Sequence, residues 1–335
     1  MKFALLLVAL LAGHGVLAQT PGPETKIPKP GVKEVQVPFA SLKPVATLKV
    51  GGTADWVLAT DDAVWVVSTK PNAVQRIDPA TNKVASKVSL SGEPCSGLAI
   101  GFGSIWVPLC GKRPSLVRVE IAGNKISAEF PIGAADPEGG IAASGDSVWL
   151  VTDKNGTLSR IDPDTGKVRQ QVHLPVGSSN PIFSDGTLWI TGNESNVLTA
   201  VDAAKGEVLV SISVGPKPRF LTAGGGSIWT LNQGDGSVSR VDEKSKKLTA
   251  TITVGIPGLG GDICYGVDSV WATVFDVPLT RIDVQTNKVV RQWVGSGGDS
   301  LRFWHDSLWL TDYKKGLVWR FPSESAHSLS KHALP

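Results

Sequence analysis

The sequence is poor in several residue types, and each shortage excludes a class of protein. Three cysteines and five histidines in 335 residues, without a Cys-x-x-Cys or His-Glu-x-x-His pattern, exclude the common zinc sites. A net charge of +3 gives no basis for nucleic-acid binding. Neither a Gly-x-x-x-x-Gly-Lys phosphate loop nor a Gly-x-Ser-x-Gly nucleophile elbow is present. With 41% hydrophobic residues and 37 glycines, the composition is typical of a folded, turn-rich domain.

Long apolar runs are almost absent. The one run, residues 3–12, follows Lys2 and precedes small residues that end at Ala18. This pattern predicts a signal peptide over residues 1–18, and hence export to the periplasm or the extracellular space. No later run is long enough to span a bilayer, so we expect no membrane span. Residues 19–44 are rich in proline and are predicted to form an extended arm or tether.

Tryptophan is the residue that the sequence does have in excess, with eleven copies against one methionine and two tyrosines. Seven of them follow a turn of small or acidic residues and an aliphatic residue, at intervals of 38–43 residues. Short β-rich runs broken by Gly, Asp and Asn lie between them, and this period is typical of a propeller of four-stranded blades. The seven are Trp65, Trp106, Trp149, Trp189, Trp229, Trp271 and Trp309.

The two ends of the repeat complement each other. Residues 48–51, Leu-Lys-Val-Gly, match the end of an outer strand but have no earlier strands of their own, whereas the unit around Trp309 ends at Phe321 without such a strand. Pairing them closes the ring and removes two open edges. We therefore predict an all-β, seven-bladed propeller over residues 45–322, closed by an N-terminal strand, with a C-terminal tail at 323–335.

The repeat resembles a known family, the bacterial YVTN-type β-propellers, close to the virginiamycin B lyase-like propellers. The resemblance depends on Ser-Val-Trp followed by Arg-Ile-Asp-Pro-x-Thr-x-Lys-Val, as at 76–84 and 160–168, and it covers nearly the whole chain after the signal peptide. It implies the propeller fold. Lyases of that kind use histidine and acidic residues with a magnesium ion, and no histidine here is placed beside the axial channel, so the activity does not transfer.

Residues that recur in most blades are predicted to be structural. The recurrent tryptophans should fill the wedge between neighbouring sheets, and the aspartates should cap turns through their carboxylates. If these recurrent residues were functional, the protein would need an equivalent site in each of several blades. The recurrent charged residues are Arg76, Arg160, Arg240, Arg281 and Arg320, with Asp78, Asp162, Asp202, Asp242 and Asp283.

The cysteines predict one disulfide. If residues 101–104 form a hairpin turn, Cys95 and Cys110 face each other across two adjacent strands, and an exported protein would oxidise them. Cys264 is predicted to be a buried apolar residue rather than a nucleophile.

Function is expected on the face where loops connect one blade to the next, because the residues there differ between blades. The residue about ten positions before each recurrent tryptophan is expected at the start of the innermost strand, at the mouth of the axial channel. The ligand-binding candidates are Asp55, Trp56, Glu138, Asn180, Arg219, Phe220, Asp262 and Asp299. Within this set, oxygen ligands for calcium or magnesium would come from Asp55, Glu138, Asn180 and Asp262.

Two hypotheses follow, and no catalytic residue is assigned in either. The first is a monomeric, non-catalytic scaffold that binds a small ligand, a glycan or a protein on this face. The second is a metal-dependent lyase or a lactone hydrolase like the gluconolactonase-type propellers, with a carboxylate as base. A quinone-dependent dehydrogenase is disfavoured, because nothing in this rim indicates the large floor that such a cofactor needs.

Overall fold

The structure is a computed structural model that describes residues 28–323. Within this range every regular element is a β-strand or a short 3-10 helix. The strands form seven sheets: five have four strands in simple order between the axis and the outer edge, and two have a fifth strand. The predicted signal peptide and nearly all of the predicted tail lie outside the described residues. No described helix has the length and apolar character needed to cross a bilayer.

The first three blades follow one another along the chain, and each runs from an inner to an outer strand. In blade 2 the inner strand is broken into two short pieces. Blade 1 comprises β3 (Thr53–Ala59), β4 (Val64–Thr69), β5 (Ala73–Asp78) and β6 (Lys83–Ser89); blade 2 comprises β7 (Glu93–Pro94), β8 (Ala99–Gly101), β9 (Ser104–Cys110), β10 (Ser115–Glu120) and β11 (Lys125–Phe130); blade 3 comprises β12 (Ile141–Ser144), β13 (Ser147–Val151), β14 (Thr157–Ile161) and β15 (Val168–His173).

Blades 4 to 6 repeat this arrangement with unbroken inner strands. Blade 4 comprises β16 (Ser178–Ser184), β17 (Thr187–Gly192), β18 (Val197–Asp202) and β19 (Glu207–Ser213); blade 5 comprises β20 (Pro218–Gly224), β21 (Ser227–Asn232), β22 (Ser237–Asp242) and β23 (Lys247–Thr253); blade 6 comprises β24 (Asp262–Gly266), β25 (Ser269–Val274), β26 (Val277–Asp283) and β27 (Lys288–Val294).

Blade 7 joins the two ends of the propeller. The chain's last strands, β28 (Leu301–Trp304), β29 (Ser307–Asp312) and β30 (Leu317–Pro322), accept the N-terminal strand β2 (Ala46–Lys49) as their fourth, antiparallel to β30. The inner strand β28 also contacts β3 of blade 1. The predicted seven-bladed, closed ring is therefore confirmed.

The described part of the proline-rich segment packs against the propeller. Its strand β1 (Gln36–Pro38) pairs in parallel with β27 at the outer edge of blade 6, between 3-10 helices at Lys33–Val35 and Phe39–Ser41. The Phe39 ring lies 5.3 Å from the ring of Trp319, so the arm continues from blade 6 to blade 7.

The seven recurrent tryptophans form the structural core, as predicted. Each lies on the second strand of its blade and is fully buried. These strands are buried on both faces because each sheet packs between two neighbours, whereas the outer strand exposes most of its residues. Several indole N–H groups donate to the turn five residues earlier, as Trp229 does to the carbonyl of Gly224 at 3.1 Å.

Three of the recurrent arginines, Arg160, Arg240 and Arg320, donate to a backbone carbonyl of the next blade. The guanidinium of Arg240 lies 4.7 Å from the Trp229 ring centroid and donates to the carbonyl of Val284 in blade 6 at 2.8 Å. Arg118, which the sequence pattern missed, does the same in blade 2. The recurrent aspartates accept backbone N–H groups in the following turn, as Asp162 does from Thr165 at 2.7 Å. Both sets are structural, as predicted.

The predicted disulfide between Cys95 and Cys110 is present, with a Cα–Cα distance of 5.8 Å, but the reasoning about register was wrong. The hairpin pairs Ala99 with Trp106 as expected, yet further along it is Glu93 that lies opposite Cys110. A bulge at residues 95–98 shifts the register by two residues and brings Cys95 to Cys110. Cys264 is buried on β24, and burial raises the pKa of its thiol to about 12, which fits the predicted apolar role.

Candidate functional site

The face formed by the blade-to-blade loops carries a cavity of about 870 Å³. It lies off the axis, over blades 4 to 7, and its wall includes the rings of Phe275 and Tyr313, whose centroids are 6.2 Å apart. Loops that connect successive blades and loops between second and third strands both contribute. The lining residues are Glu138, Asn193, Glu194, Asn196, Pro216, Lys217, Arg219, Gln233, Leu259, Gly260, Phe275, Asp299 and Tyr313.

The axial channel itself is blocked by two of the predicted site residues. Trp56 of blade 1 and Phe220 of blade 5 are both buried, and their rings meet edge to face with centroids 5.6 Å apart. Since blades 1 and 5 are not neighbours, this contact crosses the centre of the ring. A void of about 50 Å³ lies beside it. The two aromatic residues therefore plug the channel, and the open space lies to one side.

Asp55 and Asp299 form a carboxyl pair at the seam between blades 1 and 7. Their side chains are hydrogen-bonded to each other. Burial and the charge of Glu138 raise the pKa of Asp55 to about 7, and burial and the charge of Asp55 raise the pKa of Asp299 well above its usual value. Two carboxylates in contact cannot both ionise easily, so the pair holds one shared proton near neutral pH.

Glu138 provides a third carboxyl at the mouth of the channel. Its side chain keeps contact with solvent, but the surrounding walls raise its pKa, and the nearby charges of Asp136 and Asp262 add to the effect. The Arg219 guanidinium opposes the shift without reversing it. Glu138 therefore brings a third carboxyl to the cavity, and it ionises less readily than a free glutamate.

Arg219 is held in position by Asp136, which the sequence interpretation did not identify. The two guanidinium nitrogens of Arg219 donate to the two carboxylate oxygens of Asp136 at 2.5 and 3.2 Å. Although burial opposes it, this contact lowers the pKa of Asp136. Because the pair joins blade 5 to the loop before blade 3, it fixes the cavity floor and neutralises the arginine charge.

Asp262 is occupied by structural partners. One carboxylate oxygen accepts from Arg302 at 2.5 Å and from the Ser300 hydroxyl at 2.7 Å, while the other accepts from the backbone of Ile263 at 2.8 Å. The amide of Asn180 donates to the carbonyl of Glu138 at 3.1 Å. Both side chains are buried and brace the inner strands.

The predicted metal ligands do not present a set of free oxygens. Asp262 is saturated by Arg302 and its neighbours, and Asp55 shares its proton with Asp299. Within residues 28–323, no group of three or more His, Cys, Asp or Glu side chains is arranged to hold a metal ion. The geometry therefore does not fit calcium or magnesium at these residues as they stand, and we derive no step through a metal.

The structure thus divides the eight predicted site residues. Glu138, Arg219 and Asp299 line the large cavity, Asp55 lies beneath it against Asp299, and the other four build the plug and its supports. Sequence reasoning missed Phe275, Lys217, Gln233 and Leu259. Phe275 is adjacent to a variable loop residue, Asp276, which was the available signal for it.

These observations define a class: a seven-bladed propeller with a plugged axis and an off-axis cavity with an acidic floor. A family profile described as outer membrane protein assembly factor BamB matches residues 74–292, which is more than half of the chain, and the chain therefore belongs to that family. No curated protein matches the chain by sequence.

Solved structures of similar fold include a lyase and a BamB protein. The "Streptogramin B lyase structure" has a TM-score of 0.69 at 16% sequence identity, covering 83% of this chain and 97% of that chain. BamB from Moraxella catarrhalis has a TM-score of 0.59 at 13% identity, covering 84% of this chain and 99% of that chain. The relation to lyase-type propellers is thus shown at the level of the fold, while the YVTN-type assignment stays a prediction.

Proposed function

We propose that this chain is an exported, monomeric and non-catalytic binding scaffold that recognises its ligand in the loop-face cavity. The cavity itself carries the proposal: its volume of about 870 Å³ suits a small ligand or a few residues of a polypeptide. Its floor is held in place from several blades, through Asp136 with Arg219 and through Asp55 with Asp299. Such a fixed floor needs little reorganisation on binding.

The charges of the cavity favour an organic cation as part of the ligand. Arg219 is neutralised by Asp136, so the remaining acidic groups are Glu138, Glu194 and the carboxyl pair, against Lys217 and Lys314, whose Nζ lies 5.2 Å from the Phe275 ring centroid. Aromatic rings above carboxylates are the usual surroundings of a bound ammonium or guanidinium group. Among the predicted ligands, a protein segment with a lysine or arginine fits best, and the family description as an assembly factor supports this choice.

Export is part of the proposal. It is supported by the predicted signal peptide at residues 1–18, by the Cys95–Cys110 disulfide and by the family description.

The proposal is tested by calorimetric titration with two capped tripeptides, acetyl-Ala-Arg-Ala-amide and its glutamine counterpart. The arginine peptide should bind at least about tenfold more tightly, because only it carries the cation. Glu138→Gln and Phe275→Ala should each weaken its binding by about tenfold. Matched controls are Glu207→Gln on the outer strand β19 and Phe183→Ala on the opposite face, and both should bind like the native protein. Equal affinity for the two peptides, or no effect of the cavity variants, would contradict the proposal.

A second candidate is favoured by one observation, the carboxyl pair. A pKa of about 7 at Asp55 is suited to general acid–base work, as a lyase or a lactone hydrolase requires. Whether calcium or magnesium takes part stays a prediction. Elemental analysis after chelator washing and reloading tests it. About one retained ion per chain, lost in Asp55→Asn and Asp262→Asn, would support the metal-dependent form and would mean that these side chains rearrange to bind the ion; no retained ion would remove that form.

A further inference from the structure

The Cys95–Cys110 disulfide borders a second cavity, separate from the ligand cavity. This cavity of about 540 Å³ is lined by Cys110 together with Lys112, Arg113 and Glu129. Both cysteines keep partial contact with solvent, whereas Cys264 is buried. The disulfide is therefore reachable from outside, and its approach carries two cationic side chains.

The bulge that the disulfide holds is in direct contact with the floor of the ligand cavity. Next to Cys95, the buried Ser96 donates its hydroxyl to the carbonyl of Asp136 at 3.1 Å. The backbone N–H of Gly97 donates to the carbonyl of Gly139 at 2.8 Å. Residues 136–139 include Asp136, which orients Arg219, and Glu138. One covalent bond in blade 2 thus fixes the segment that carries two charged groups of the site.

We propose that Cys95–Cys110 is a thiol-exchange site through which a dithiol reductant loosens the floor of the ligand cavity. The relevance to ligand binding rests on the proposed function. The exchange and the loosening can be measured without any ligand, so either proposal can fail while the other stands.

The chemistry is an ordinary thiol–disulfide exchange. A thiolate of the reductant attacks Sγ of Cys110, which lines the cavity, and Cys95 leaves as a thiolate. The second thiol of the reductant then attacks the mixed disulfide and releases Cys110. Two electrons pass to the protein, and the reductant becomes a disulfide. Lys112 and Arg113 favour the step because cations attract the incoming thiolate and stabilise the developing negative charge.

Once the bond is broken, the bulge loses its covalent anchor. The hydrogen bonds from Ser96 and Gly97 to residues 136–139 then depend on the local chain alone. Opening of this segment frees Asp136, and Arg219 loses its fixed orientation. The propeller remains closed because blade 7, not blade 2, joins the chain ends.

The test treats the folded protein with dithiothreitol, followed by iodoacetamide labelling and hydrogen exchange read by mass spectrometry. Cys95 and Cys110 should become labelled without denaturant, with Cys264 as the internal unlabelled control. Exchange at residues 134–140 should rise at least tenfold, while β19 should not change. Cys95→Ser with Cys110→Ser should reproduce the same local rise without reductant. Lys112→Ala with Arg113→Ala should slow reduction severalfold.

Three results would overturn the proposal. The first is reduction that requires denaturant, and the second is reduction that leaves exchange at residues 134–140 unchanged. The third is a rise that extends equally to β19, which would mean that the disulfide supports the whole propeller rather than this segment.

Discussion

Leu48 of the N-terminal strand lies directly opposite Val318 of the last blade, and this contact closes the ring. The Leu48 side chain is buried in the cluster shared with Trp309, although it belongs to an outermost strand. The closing strand therefore contributes apolar burial as well as backbone hydrogen bonds.

Leu48→Ala should destabilise the propeller by about 2–4 kcal/mol, because it removes a buried side chain at the junction. Leu209→Ala is the matched control, since Leu209 lies on the outermost strand of blade 4 and is 47% exposed. It should cost about 0.5 kcal/mol or less. Urea unfolding followed by tryptophan fluorescence measures both, and equal effects would mean that β2 does not close the ring.

The Trp149 indole depends on a single side-chain acceptor, the Ser144 hydroxyl at 3.0 Å. In blade 4 the equivalent Trp189 N–H is buried without a partner, although Ser184 occupies the equivalent position. Ser144→Ala should therefore cost about 1–3 kcal/mol, since it leaves a buried donor unpaired. Ser184→Ala should have little effect on the free energy of unfolding. If thermal melts showed that Ser184→Ala destabilises the protein more than Ser144→Ala does, these serines would not act through the indoles.

The Asp55–Asp299 pair should make stability depend on pH in a defined direction. Because the pKa of each carboxyl is raised by folding, the folded pair binds more protons than the unfolded chain above about pH 4. Its contribution is favourable in acid and is lost as pH rises through about 7. The change in free energy of unfolding caused by Asp299→Asn should therefore be more favourable at pH 8 than at pH 5, by about 1–2 kcal/mol.

The measurement is the difference in free energy of unfolding between native protein and variant, from urea titrations at both pH values. Asp235→Asn, in an exposed loop of blade 5, is the control and should show no such difference. A destabilising effect of Asp299→Asn that is the same at both pH values would contradict the shared proton.

Binding of the arginine tripeptide should also depend on pH. A cation favours the ionised pair, so affinity should rise as pH increases through about 7 and then level off. In Asp299→Asn this rise should be smaller, because one titrating carboxyl is missing. Titrations at intervals from pH 5 to pH 9 test this, and a pH-independent affinity in the native protein would show that the cation does not approach the pair.

The fold could be predicted from the sequence because its determinants repeat. Each blade buries one tryptophan at the same point of its second strand, so seven local signals agree on the period. The strand at residues 46–49 has no partner in its own repeat, and the incomplete last blade is the sheet that it can complete. The disulfide register could not be derived in this way, because the bulge at residues 95–98 shifts the register by two residues, whereas the bulges in the inner strands of blades 1, 4 and 5 shift it by one.

The site was less predictable for a related reason. Counting from the tryptophans finds the residues at the channel mouth but not which of them fill the channel. That outcome depends on Trp56 and Phe220 meeting across the ring, a contact between distant parts of the chain. The same holds for Asp136, whose partner Arg219 lies in a non-adjacent blade. Non-repeating contacts of this kind leave no periodic signal.

The most direct test of the central claim is a crystal structure of the protein with acetyl-Ala-Arg-Ala-amide bound. We predict that the guanidinium lies against the Phe275 or Tyr313 ring, within hydrogen-bonding distance of Glu138 or Asp299. A peptide bound on the opposite face or along an outer strand, with the loop-face cavity unoccupied, would contradict the account.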